Sequence, residues 1–467
     1  MKNKQNPRAA MPREKMDMFN GPILPMILQL GVPILVSYIV NYLYLMVDMY
    51  FISLLNPESS APLAGTGLIF PVEMVFESIA SGVAGGISIV VGRLIGEKKY
   101  EECKSLGSVA LAIGLCIGVP VLLLYYVGGP TLVHILGGNE LSEEATKYAL
   151  EYIYSVAPSA LFMVLSQVIG GILLGQGLAM IPTKGFMIVT VINCILDPIL
   201  MFVFKLGIVG AGLATSIAVF CSFIYIMKNI NTDKVRIKVS FNLSLVKAKQ
   251  VKEVLFIGLP QLLMSIAPYF IVIAFNNIIS VKFGEDALNA WALTGRIDQI
   301  LIIPIIALVG ATVVFASQNF GRKNYQRIKD VFKLNTKIAF IMSMVLAVIY
   351  ALFARNMFHG FSEIDGVIDL AVQQVYITAF TFAFMAIGMV TGSLFQATNR
   401  PVFGMAFIYF RVAIIISLGV ILVYALGMPV ESIYYSIAIG NVLSFPLALL
   451  LFSRHIKKME AGEIEIQ

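Results

Sequence analysis

Apolar residues along this chain do not alternate with polar ones at the period of a strand or of an amphipathic surface helix; they run together. Breaking the sequence at glycine, proline, asparagine and charge clusters leaves twelve apolar stretches, over 26–55, 62–94, 105–134, 145–175, 182–204, 209–229, 253–281, 286–319, 334–354, 367–397, 402–427 and 431–453. Each reaches the roughly 20 residues with which an α-helix crosses a bilayer. Helices apolar on all sides need lipid around them. The pattern therefore predicts an all-α membrane protein with twelve transmembrane helices.

The stretches repeat. "LQLGVPILVSYIVNYLYL" in the first is echoed by "LFIGLPQLLMSIAPYFIV" in the seventh, with Gly31 and Pro33 answering Gly258 and Pro260. "GRLIGEKKYEECK" after the second is echoed by "SQNFGRKNYQRIK" after the eighth, pairing Gly96 with Gly321 and Tyr100 with Tyr325, and "IPTKG" is echoed by "RPVFG". Three echoes in one order imply a duplicated six-helix unit. An even number of spans makes the repeat parallel, and such transporters place their sites near the midplane between the halves. The expected organisation is a cytoplasmic tail over 1–23, an N-lobe over 24–230, a cytoplasmic linker over 231–250, a C-lobe over 251–454 and a cytoplasmic tail over 455–467.

Composition agrees: 58% of the residues are hydrophobic, 13% are charged, and mean hydropathy is +0.87. Soluble domains carry about 25% charged residues. Of the 33 Lys and Arg, 27 fall in the tails and loops of one side of the twelve-span arrangement. The positive-inside rule then puts both termini in the cytoplasm of a cell (inner) membrane. Basic loops facing an anionic leaflet explain the net charge of +6 without a nucleic-acid partner. The four cysteines form no CxxC pair and the three histidines are scattered. No GxxxxGK[ST] loop, HExxH motif or Ser/His/Asp grouping points to nucleotide hydrolysis or other catalysis, and no cofactor is expected. The first twenty residues read as a tail rather than a signal peptide.

Ionisable groups inside spans are costly and are functional candidates by default. Asp48, Glu73, Glu77, Asp197 and Asp298 are the acids, against two in-span bases, Arg296 and Arg411. Asn41, Tyr44 and Asp48 share one face of the first helix, and Asn193 and Asp197 one face of the fifth. Pro198 lacks an N–H, which leaves the Cys194 carbonyl free and tends to kink the helix beside these oxygens. A carboxylate, an amide and a free carbonyl make a cradle for Na⁺ or a proton. Asp48 and Asp197 have no acidic counterpart in the second half, which makes them the coupling pair. Glu73 answers Asp298 at an offset of 225, and Glu73, Glu77, Asp298, Arg296 and Arg411 are cavity or gate groups. A second span that starts later would instead put Glu73 and Glu77 at a solvated helix end, and Arg411 has the alternatives of snorkelling to the interface or pairing structurally.

"VDMYF" with Pro33 and Tyr44, "NCILDP", "GIVGAGLATSIA" and "RIDQI" with "SQNFGRKNYQRIK" together resemble the multidrug and toxic compound extrusion (MATE) family over residues 24–455. The resemblance implies a monomeric secondary antiporter that exports lipophilic, often cationic, small organic compounds in exchange for Na⁺ or H⁺. It implies a cation site at Asp48, Asn193, Asp197 and Thr215, with Pro33 and Tyr44 on a first helix that bends. Past Glu253 at its very start the seventh span carries no acid, and the tenth only Asp365 and Asp369 near its outer start. These departures place the chain closer to the DinF-like, N-lobe-coupled group than to NorM. The alternative within the same superfamily is a flippase or exporter of a lipid-linked or amphiphilic metabolite.

Overall fold

The computed structural model describes residues 17–137, 142–233, 235 and 237–464. Among the described residues, twelve helices are long and apolar enough to cross a membrane. They are α1 (Ile23–Ser53), α2 (Ala61–Gly96), α3 (Tyr100–Gly137), α4 (Glu143–Gly175), α5 (Met180–Val203) and α6 (Ile208–Asn229), then α7 (Ala248–Phe283), α8 (Glu285–Gly321), α9 (Tyr325–His359), α10 (Asp365–Ala397), α11 (Pro401–Ala425) and α12 (Glu431–Glu460).

Two of these helices outrun their predicted spans by seven residues or more at one end. The pattern predicts a ninth span from 334, but α9 starts at Tyr325, because "YQRIKDVFK" continues the helix with Ile328 and Val331 buried and its charges outward. The twelfth runs to Glu460 and not 453, so the boundary drawn at 454 cuts a helix. His455 there is buried and bonds Thr398 at 2.6 Å. Basic helical ends protruding into water carry no apolar signal, which is why hydropathy ends them early.

Packing follows the repeat. In the first half α1 packs on α5, α2 on α4, α3 on α4, and α6 on α4 and α5; in the second α7 packs on α11, α8 on α10, α9 on α10, and α12 on α10 and α11. Between halves α1 meets α8 and α2 meets α7, each the image of the other under the duplication. Turns repeat as well: Lys98 and Lys323, in the matching "GEKKY" and "GRKNY" turns, have φ of 62° and 57°. α5 and α11 both end in a π-helical turn, Ile199–Val203 and Ile421–Ala425. Since α11 has no proline beside its turn, the irregularity at α5 belongs to the repeated unit and not to Pro198 alone.

The halves touch at the end carrying the basic loops. A Cβ on Gly96 of α2 would lie 2.9 Å from Gly321 Cα and from Arg322 N of α8, and one on Gly82 would lie 2.9 Å from Gly258 O of α7. Only glycine allows such backbone approach. Every residue from Ala311 to Gly321 is buried. Towards the other end the helices part: a Cβ on Gly67 of α2 or Gly295 of α8 would meet nothing within 4 Å, and Val75 and Ile300 are exposed.

Polar contacts reinforce the closed end. Arg93 of α2 pairs with Glu253 of α7 and, at 3.3 Å, with Glu97. Ser105 bonds Gln250 at 2.8 Å, and Gln318 Nε2 donates to the Gly175 carbonyl at 2.9 Å. The segment just before α1 is docked across to α8 and α9, where Asn319 and Arg327 both donate to the Met18 carbonyl and Arg327 also donates to that of Gly21. Hydrogen bonds from the Asn20 side chain and the Phe19 N–H hold the Asp17 carboxyl below its ordinary range.

Candidate cation site

Helices α1, α5 and α6 bring the first-half polar residues together. Asp48 lies two turns past Asn41 on α1 and is 7% exposed; Asn193 and Asp197, one turn apart on α5, are 0% exposed; Thr215 of α6 is 6% exposed. Asn193 Nδ2 donates to Thr215 Oγ1 at 3.1 Å, and the Tyr44 hydroxyl lies 3.4 Å from the same oxygen. Thr215 thus ties α1 to α5 through α6. Tyr44 also feels the fields of both Asp48 and Asp197.

The oxygens left over define the chemistry. Asp48 Oδ1, Asn193 Oδ1 and both carboxylate oxygens of Asp197 are buried without a hydrogen-bond partner. A buried orphan oxygen costs about 1–3 kcal/mol, more when charged, a cost that a proton or a cation bound at these oxygens would offset. Two carboxylates, an amide and a hydroxyl form an all-oxygen set suited to a hard cation. The residues fit a transported Na⁺ or proton.

Helix α1 is fixed to α5 below this cluster. Thr183 Oγ1 donates to the Pro33 carbonyl at 2.9 Å, Ser37 Oγ donates to the same carbonyl at 3.0 Å, and Ser37 Oγ donates to Thr183 Oγ1 at 2.8 Å. The helix runs unbroken through Pro33. Asn41, half-buried on the face of Tyr44 and Asp48, joins none of these bonds among the described residues.

The remaining candidates separate. Glu73 and Glu77 lie inside α2 and not at its end, half-buried, and Glu73 is an electrostatic neighbour of Asp48 and of Tyr125 on α3. Asp298 of α8 lies beside Tyr350 of α9. Tyr350 answers Tyr125 at the same offset of 225 that relates Asp298 to Glu73, and each tyrosine is 1% exposed. The duplication therefore repeats an acid and tyrosine pair, which the acids alone did not reveal but the offset would have. Arg296 is exposed and forms no ion pair with Asp298. Arg411 donates to Asn441 Oδ1 on α12 at 2.6 Å, and Asn441 Nδ2 donates to Thr381 of α10 at 3.1 Å. Arg411 is thus bonded within the second lobe, across α11, α12 and α10.

Known proteins resemble the chain along most of its length. It is 26% identical over 385 residues to the multidrug export protein MepA of Staphylococcus aureus, with 81% of this chain and 83% of that protein covered. The Staphylococcus saprophyticus protein of the same name is 26% identical over 393 residues, covering 83% of each chain. Among solved structures, a MOP superfamily transporter from Pyrococcus furiosus superposes with a TM-score of 0.86 at 23% identity, over 95% of this chain and 98% of that one. A structure described as MATE in the bent conformation gives 0.87 at 22% identity, again over 95% and 98%. The MatE family model matches twice, over residues 33–199 and 260–421, one match in each half of the duplicated fold. The chain belongs to the MatE family, and is a multi-pass membrane transporter and not an enzyme.

Proposed function

We propose that this protein is a secondary multidrug efflux antiporter of the cell membrane, with both termini cytoplasmic, which exports lipophilic organic compounds in exchange for Na⁺ or H⁺. The observation that carries the reading is the cluster of four unpartnered buried oxygens on Asp48, Asn193 and Asp197. MepA, named for multidrug export, supports the substrate class. The absence of an acid from α7 beyond Glu253, which pairs with Arg93 at the end carrying the basic loops, supports coupling in the N-lobe, as in the DinF-like group.

With the basic loops inside, the end sealed by Gly96, Gly321, Arg93 and Glu253 faces the cytoplasm. A cation entering from outside reaches Asp48 and Asp197, neutralises them and draws α1 against α5 and α6. Coupling requires that this pull act differently on the bound substrate in the two states. Reversal of the lobes then opens the end sealed by Gly96, Gly321, Arg93 and Glu253, and the cation leaves into the cytoplasm. Each elementary charge moved down a 100 mV potential contributes about 2.3 kcal/mol.

Ethidium efflux from proteoliposomes, with Na⁺ and pH gradients imposed separately, tests the reading. Efflux under one gradient and not the other names the ion; no gradient-dependent efflux of ethidium or of other organic cations would reject the antiport proposal.

A further inference from the structure

Arg327, in the first turn of α9, spends its hydrogen-bond donors on main-chain carbonyls. It figures in none of the ion pairs among the described residues. Its Nε donates to the Met18 carbonyl at 3.0 Å and a terminal nitrogen donates to that of Gly21. Asn319 of α8, 0% exposed, donates to the same Met18 carbonyl at 3.1 Å. A half-buried guanidinium needs partners for its donors, and the short segment ahead of α1 supplies them.

That segment is shaped for the task. Asp17 Oδ1 accepts from the N–H groups of Phe19 and Asn20 at 3.0 and 3.2 Å, and the Gly21 N–H donates to the Asp17 carbonyl at 3.1 Å. This turn presents the Met18 and Gly21 carbonyls to one guanidinium. The two side chains at its tip go to different lobes. Met18, 3% exposed, enters the core that holds Phe320 of α8 and Ile328 of α9, whereas Phe19 packs on the core built mainly from α2, α3 and α4. Arg322, just past α8, lies over the Phe19 ring at 4.0 Å. The segment therefore straddles the seam between the lobes at the sealed end.

The duplication repeats the tie with other side chains. At the offset of 225, Arg327 answers Glu102, and there Gln250, in the first turn of α7, donates to the Glu102 carbonyl at 2.9 Å and accepts from Ser105 at 2.8 Å. The first helix of each lobe is thus tied at its entry to the start of the third helix of the other lobe.

We propose that residues 17–21 are a latch across this seam, held by Arg327, which leaves α8 and α9 whenever the sealed end opens. This rests on the reading above in which the lobes move to open that end to the cytoplasm.

The test labels single cysteines with a membrane-impermeant maleimide in inside-out vesicles, using the full-length protein without its four native cysteines. Met18→Cys reports the latch, and Ser317→Cys, 0% exposed against Gly92 of α2, reports the seam. Arg327→Gln is expected to accelerate labelling at both positions about tenfold or more, as loss of charge-assisted hydrogen bonds does, and Arg327→Lys, which keeps the charge without the fork, to fall between. Acceleration at Met18→Cys alone means a segment that frays without opening the end; acceleration at Ser317→Cys alone means an end that opens with the segment still docked. Either result, or acceleration at neither position, overturns the proposal. Ser343→Cys, 2% exposed on α9 inside the second lobe, reports unfolding; should Arg327→Gln expose it, Arg327→Lys decides by the same comparison. Labelling uses neither gradient nor substrate, so a lack of gradient-driven efflux rejects the antiport reading and leaves these rates to decide the latch.

Discussion

Replacing Glu253 by Gln removes one partner of the ion pair that joins α2 to α7 at the closed end. The side chains of Arg93 and Glu253 are 6% and 18% exposed, and breaking a buried pair costs about 3–5 kcal/mol. Arg93 retains Glu97 at 3.3 Å, which sets the expected loss near the lower figure. The loss falls on one state only, because α2 and α7 belong to different lobes and both charges reach water once the lobes separate. About 3 kcal/mol of differential stability shifts the ratio of the two states by about a hundredfold. Glu97 shares its helix with Arg93 and moves with it, so Glu97→Gln removes an interaction common to both states and leaves the ratio nearly unchanged.

Ser317 of α8 reports the opening, being 0% exposed where Gly92 of α2 packs against it. In a background lacking the four native cysteines, Ser317→Cys is labelled in inside-out vesicles by a membrane-impermeant maleimide. Glu253→Gln is expected to raise the labelling rate by at least about tenfold, with Glu97→Gln near the parent. Equal rates for parent and Glu253→Gln, or equal acceleration by both substitutions, would refute the argument that this pair holds the cytoplasmic end shut.

Other substitutions probe the rest of the account. Thr215→Val leaves Asn193 Nδ2 and the Tyr44 hydroxyl without their shared acceptor, at a cost of about 1–3 kcal/mol, and is expected to raise the ion concentration for half-maximal efflux about tenfold while thermal stability in detergent falls only slightly. Gly96→Ala puts a methyl where Gly321 and Arg322 approach at 2.9 Å; overpacking of about 1–3 kcal/mol is expected to accelerate Ser317→Cys labelling as Glu253→Gln does. Thr183→Val removes a donor from the Pro33 carbonyl and the acceptor of Ser37, and is expected to lower the detergent melting temperature by a few degrees, read by intrinsic fluorescence.

Much of the fold was legible in the sequence because a membrane helix must be apolar on every side, and twelve such runs leave little choice of element. The ends of α9 and α12 were not, since basic turns that emerge into water look like loops to a hydropathy pattern. Helical spacing puts Asn193 with Asp197 on one face and Asn41, Tyr44 and Asp48 on another, but spacing gives a face and not a partner. The hydroxyl that joins the two faces lies on α6, and only family resemblance pointed to Thr215. The pairs Arg93 with Glu253, Ser37 with Thr183, and Arg411 with Asn441 cross between helices distant in the chain, so nothing local signals them. Tyr125 and Tyr350 were within reach, because the offset that relates Glu73 to Asp298 relates them as well. Pro198 invited a local explanation for the break in α5 that its proline-free counterpart in α11 does not support.

The coupling role of the oxygen cluster is tested most directly by Asp197→Asn in proteoliposomes loaded with ethidium, measuring uphill efflux under the driving gradient and downhill exchange without one. The account predicts that uphill efflux is lost while exchange persists, because the lobes still move but the cation no longer binds. Uphill efflux at the wild-type rate would contradict it, and would make the carboxylate in "NCILDPIL" a structural group.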